Sequence, residues 1–174
     1  MFRHLFRDRS AASAVEFALL LPVLITLLFG IMFGASVFNT QQTVTQAARE
    51  AARFGATLPL SAGGEGANDQ FPPSGGWFDL VEERAQSVLA NDAPLTLGGI
   101  EPTVCVAFTD GESVATNGEC PAEPIPTLDG TPRVRVIASR PARIELGVAT
   151  VGPFTLSASG LGRFEPEIVA PTSG

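Results

Sequence analysis

The sequence predicts an α+β protein: a long N-terminal transmembrane and stalk α-helix, followed by a small exported domain in which one helix packs on a three- to four-stranded antiparallel sheet. Three observations predict it. No charged residue interrupts the chain between Glu16 and Arg49, an interval longer than the roughly 20 apolar residues needed to cross a bilayer. From Trp77 the stretch WFDLVEERAQSVLAND returns to a helical period. The remainder holds short alternating runs rich in β-branched residues.

Residues 1–11 form a basic leader in which Arg3, His4, Arg7 and Arg9 are opposed only by Asp8. Short Arg-rich flanks stay on the cytoplasmic side, so the N-terminus is expected inside and everything after the apolar run outside. Residues 12–57 are expected to form the transmembrane and stalk helix. Its apolar core, Phe17 to Phe38, is longer than the 7–15 residues of a cleavable signal peptide, although Gly34-Ala35-Ser36 offers a conceivable cleavage site for a secreted soluble product. Pro22 lacks an amide proton and its ring crowds the carbonyl of Ala18, which predicts a kink or local opening. Gly30 and Gly34, with Ala35 alongside, make a GxxxG pair that lets another helix approach closely in lipid; small residues at this spacing are also common in membrane helices that pack on nothing in particular.

Beyond Phe38 the chain becomes polar and Ala-rich. Val44, Ala47, Ala48, Ala51 and Ala52 recur at three- and four-residue spacing on one narrow face, and Ala47 and Ala51 extend the helix-packing set begun by Pro22, Gly30 and Gly34. Gly55 is the expected C-cap, and Arg49 and Arg53 near that end suit the helix dipole.

Residues 58–76 read as a Gly/Pro-rich linker, residues 77–165 as the head and residues 166–174 as a loose tail. In the head, Trp77, Leu80, Val81, Ala85, Val88 and Leu89 share one side of a helix, with Glu82, Glu83, Arg84 and Gln86 mostly on the other. Expected strands are Thr103 to Phe108, Arg133 to Ala138 and Phe154 to Arg163; Ile144 to Val151 is compatible with either a helical turn or a further strand. The turn-rich segment between the first two strands reads as a hairpin excursion tied at its base by Cys105 and Cys120. An even cysteine count in an exported segment favours a disulfide, stabilising by roughly 3 kcal/mol for such a loop.

Several function classes are disfavoured. A formal net charge of −7 argues against a nucleic-acid surface. The single histidine, His4, lies in the leader, away from any exported nucleophile, and Glu82 and Glu83 are adjacent on a helix and therefore diverge. No P-loop, dinucleotide fingerprint or metal-ligand spacing occurs, so neither enzymatic activity nor a cofactor nor a metal is expected. The residue that needs an explanation is Glu16, because a charged side chain at the centre of a membrane helix costs about 2.5–3.5 kcal/mol. It either snorkels to water at the cytoplasmic boundary or has a partner. Cleavage between Ala11 and Ala12 would place Glu16 fifth and Phe17 sixth, with a new α-ammonium at Ala12. Glu16 could then pair with the free amine of a neighbouring subunit.

The run SAVEFALLLPVLITLLFG followed by QAAREAARFGA resembles the TadE-like family of the tight-adherence (Tad/Flp) pilus, and LSASGLGRFEPE is similar to that family's closing strand. The resemblance implies a pilin-like minor pilin or pseudopilin of the bacterial inner membrane, with a periplasmic head, either in the fibre or at its base. Its implied partners are the lipid bilayer, other Tad pilins and pseudopilins, the inner-membrane assembly machinery and a prepilin peptidase. Carried over by position, Ala11–Ala12 is the scissile bond, Glu16 the membrane-embedded glutamate and Phe17 the aromatic after it. Ala11 departs from the Gly that prepilin peptidases prefer before the cut. A separate reading, in which the helix is only a tether for a periplasmic binding module, remains open to test.

Overall fold

The computed structural model describes residues 9–63, 73, 75–90, 101–109, 114–117, 120, 131–145 and 150–164. Helix α1 (Arg9–Thr57) is followed by a short 3-10 helix (Leu60–Gly63), helix α2 (Gly75–Ala90) and strands β1 (Thr103–Thr109), β2 (Val114–Asn117), β3 (Arg133–Glu145) and β4 (Thr150–Arg163). The strands form one antiparallel sheet in the order β2-β1-β3-β4. The fold is therefore α+β with a four-stranded sheet, as the sequence predicts. The leader residues 1–8, most of the linker and the tail 166–174 lie outside the described residues.

The chain divides into two units, residues 1–39 and 40–174. The stalk half of α1, Thr40 to Thr57, falls in the second of these units. The cause is its Ala-rich face, which is narrow enough to lie flat on a sheet.

The register builds that seat. Val104, Ala138 and Ala158 lie in one row across the sheet, Val106, Val136 and Gly160 in the next, and Phe108, Val134 and Gly162 in a third. Against these rows pack Ala51 and Ala52 of α1 and Trp77, Phe78, Val81 and Ala85 of α2, closed at one end by Phe164. Val44, Ala47, Ala48 and Leu89 form a second buried cluster with Ala138. Perpendicular ring contacts run from Trp77 to Phe78 (5.2 Å) and Phe108 (5.6 Å), and from Phe108 to Phe164 (5.1 Å), an arrangement favoured by the ring quadrupoles. Phe78 belongs to this core although the period assigned from Trp77 omits it.

Gly55 is not a cap. Helix α1 runs past it to Thr57, where the Thr57 hydroxyl donates to Phe54 O (2.9 Å), and Pro59 prevents continuation. A side chain at Gly55 would meet Val81 Cγ2 at 3.0 Å and Val134 Cγ1 at 3.1 Å, so the glycine lets the helix approach the core.

Strand β3 continues seven residues beyond the predicted Ala138, through Pro141. Its pairing with β1 ends at Ser139 opposite Thr103, so Pro141 has a paired strand on one side only, β4, where it lies opposite Thr155, an edge setting that tolerates proline. The ambiguous stretch Ile144 to Val151 is resolved at both ends as strand, with Ile144 paired to Val151 and Glu145 to Thr150. A bulge falls between Ala142 and Ile144. Opposite it, Gly152 takes φ +119°, a conformation that L-residues rarely adopt, and a Cβ there would meet Ala142 O at 3.0 Å.

Cys105 and Cys120 are disulfide-bonded across a sequence separation of 15. The bond returns the segment after the short β1–β2 hairpin to the hairpin's first strand. The Cys105→Ser/Cys120→Ser variant should lose about 3 kcal/mol of head stability, read as a lower midpoint in urea denaturation. An unchanged midpoint would contradict a structural role for the bond.

Candidate functional site

In the first unit the described residues from Ser13 to Met32 are all exposed, and most of them are apolar. A candidate span within α1 has a mean hydropathy of 2.5 over its most apolar window, and none of that window is buried. Val15, Phe17, Leu19, Leu20, Val23, Leu24, Leu27, Leu28, Ile31 and Met32 are all exposed. A soluble protein does not sustain an uninterrupted apolar surface of this kind, since such patches mark membrane or partner contacts. The helix is compatible with a single-pass membrane anchor.

Within it the expected site residues fall into distinct settings. Ala11 and Ala12 lie in the opening turns of α1, where helix ends fray most readily. Glu16 and Phe17 are exposed, one turn further on. Helix α1 runs continuously through Pro22, whose missing amide removes the donor to the Ala18 carbonyl, and the Thr26 hydroxyl donates to Pro22 O (2.7 Å). Gly30 and Gly34 lie on open surface, with nothing within 4 Å of a Cβ built at either position. The Ser36 hydroxyl donates to Met32 O (3.0 Å), so this side chain satisfies its own helix and leaves the surface apolar.

Ala47 and Ala51, which the sequence groups with the glycines as helix-packing residues, are fully buried inside the head. Their face of the helix packs in the protein's own core, and β4 presents Gly160 and Gly162 to the adjoining Ala48 and Ala52. A Cβ at Gly160 would collide with the backbone of Ala48, and one at Gly162 would lie 2.5 Å from Ala52 O and 2.9 Å from the Ala56 methyl. The alternation Gly-Leu-Gly in a strand, opposite an Ala-rich helical face, was the readable signal for this contact.

Two polar bonds fix the same half of α1 from its flanks. Gln41 Nε2 donates to Ser157 O of β4 (3.1 Å), and Glu50 accepts from Arg84 of α2 (2.8 Å). The hydrogen bond and charge of Arg84, helped by the charge of Arg53, hold the Glu50 carboxyl below the usual carboxylate range. Because its folded pKa is depressed, its contribution to stability is present above the unfolded value and is lost as pH falls through the folded one. Both side chains are about half exposed (48% and 46%), so the effect is small. Thermal denaturation of Glu50→Gln should show slightly lower stability than the parent at neutral pH, with the two converging in acid. A gap that persists in acid would contradict the pairing.

The architecture is an exposed apolar N-terminal helix, compatible with a single-pass membrane anchor, followed by a small α+β head. The family model described as TadE-like protein matches residues 11–53, about a quarter of the chain and the segment holding Ala11, Ala12, Glu16, Phe17, Pro22, Gly30, Gly34 and both buried alanines. No curated protein and no solved structure matches the chain.

Proposed function

We propose that this chain is a minor pilin or pseudopilin of the Tad/Flp pilus that takes part in assembly through lateral packing of its apolar helix. The observation that carries this is the pairing of an apolar surface, exposed from Val15 to Met32, with a TadE-like match over the same helix. The helix is inserted in the bacterial inner membrane, N-terminus in the cytoplasm and head in the periplasm, and the chain works by association, without catalysis or cofactor.

The chemistry centres on Glu16. A prepilin peptidase cutting Ala11–Ala12 leaves an α-ammonium on Ala12, and Glu16 of one subunit pairs with that amine on the next. The pair offsets the cost of holding a carboxylate in lipid, about 2.5–3.5 kcal/mol at the centre of a helix, so assembly is favoured over the isolated subunit. Gly30 and Gly34 allow close approach of a neighbouring helix further along.

Glu16→Ala should leave membrane insertion intact and abolish co-purification with other Tad pilins. Normal co-purification would sink the ammonium–carboxylate role. For processing, mass analysis of the cellular protein should find a new N-terminus at Ala12, whereas an intact Met1 would reject cleavage.

A further inference from the structure

Helices α1 and α2 each carry a pair of like charges one turn apart. Arg49 and Arg53 of α1 and Asp79 and Glu83 of α2 are all exposed. Like charges at i and i+4 repel and destabilise their own helix, so each pair needs a reason. The helix dipole does not supply one. Helix α1 runs on to Thr57 and has no basic residue in its last turn, and α2 has no acidic residue in its first; the effect of the dipole falls off within those turns. The expectation that Arg49 and Arg53 suit the end of the helix is therefore not met.

Contacts within the chain do not supply one either. The ion pair that joins the two helices, Glu50 with Arg84 at 2.8 Å, marks the flanks on which they face each other. At about 100° per residue, Arg49 is turned about 100° from Glu50, and Glu83 about 100° from Arg84. Arg53 lends part of its charge to Glu50, whereas Arg49, Asp79 and Glu83 make no hydrogen bond or ion pair among the described residues. Both like-charge pairs belong to the same unit of the chain, residues 40–174. Their repeats are equal, about 6 Å along each helix axis, so two helices laid side by side would bring them together in step.

We propose that the two pairs are the two halves of one contact between copies of this chain: Arg49 and Arg53 of one subunit lie against Asp79 and Glu83 of the next. The occupant follows from opposite charge at equal spacing, which a second copy provides on both sides. A symmetric dimer through either patch would set like charges against each other. The contact is therefore head-to-tail, and contacts of that kind close into rings or continue as open helical assemblies. Exposed ion pairs contribute little each and are screened by salt, so this one selects the neighbour and its register more than it holds the neighbour in place. The inference deepens the assembly reading above and rests on it.

The test is sedimentation equilibrium of the full chain in nonionic detergent at high protein concentration. Arg49→Glu with Arg53→Glu leaves two acidic patches, and Asp79→Arg with Glu83→Arg leaves two basic ones. Each double variant should self-associate at least about tenfold more weakly than the parent at low salt, the equivalent of losing two exposed pairs, and added salt should weaken the parent likewise. An equimolar mixture of the two double variants, or one chain carrying all four substitutions, should recover the parent's association. Fluorescence of the buried Trp77 checks that each variant is folded. A parent that stays monomeric would overturn the proposal, as would a loss in the double variants that neither the mixture nor the four-substitution chain recovers. Association that ignores both double variants would also overturn it and would assign self-association to the apolar helix. Exchange of residues 13–38 for an unrelated span should leave the charge dependence in place, so failure of helix packing and failure of the head contact are read separately.

Discussion

Gly160→Ala is expected to destabilise the head by about 3 kcal/mol, at the upper end of the usual overpacking range, because the added methyl meets main chain that has no rotamer to give. The methyl would occupy the space taken by the Ala48 carbonyl. Either α1 lifts from the sheet, uncovering Val44, Ala47, Ala48 and Ala51, or β4 shifts and loosens its register with β3. Chemical denaturation of the full chain in detergent, followed by Trp77 fluorescence, measures the loss in parent and variant. Gly30→Ala is the matched control, since that position has nothing within 4 Å of the added carbon and should leave head stability unchanged. Equal behaviour of the two glycines would contradict the close approach of helix and strand.

Trp77→Ala should cost about 3–5 kcal/mol, the range for truncating a large buried aromatic. Trp77 is fully buried, meets both Phe78 and Phe108 edge to face, and donates from Nε1 to Leu58 O (3.4 Å). It therefore joins α2 to the sheet and to the end of α1 at once. Domain stabilities are about 5–15 kcal/mol in total, so a loss of this size leaves a head of this size near its unfolding threshold. The expected result is strong protease sensitivity in the Trp77→Ala head at physiological temperature. A cleavage rate like that of the parent would show that the aromatic cluster is not the core.

These two residues also mark the limits of what the sequence disclosed. Trp77 was legible because its neighbours repeat with the helical period, and Cys105 with Cys120 because an exported pair of cysteines has few other uses. The apolar run was legible from length alone. Gly160 was not, because a glycine in a strand reads as a weak point until the partner that needs the space is known. The same blindness hid the seat of Ala47 and Ala51: a small-residue helical face fits a neighbouring helix or a sheet equally well, and the choice between them is a long-range fact. Pro141 truncated the predicted β3 for a related reason, since a proline is compatible with a strand only where the neighbouring strand has ended. In the apolar helix the candidate residues Glu16, Phe17, Gly30 and Gly34 could be named but not joined: all four are exposed, and no contact among the described residues brings them together.

Exchange of residues 13–38 for an unrelated apolar span of equal length tests most directly whether the helix acts by packing. The account predicts a protein that still inserts in the inner membrane and still folds its head, yet fails to support pilus assembly. Full assembly with the substituted span would contradict it, and would leave the helix as a tether for a head that binds on its own.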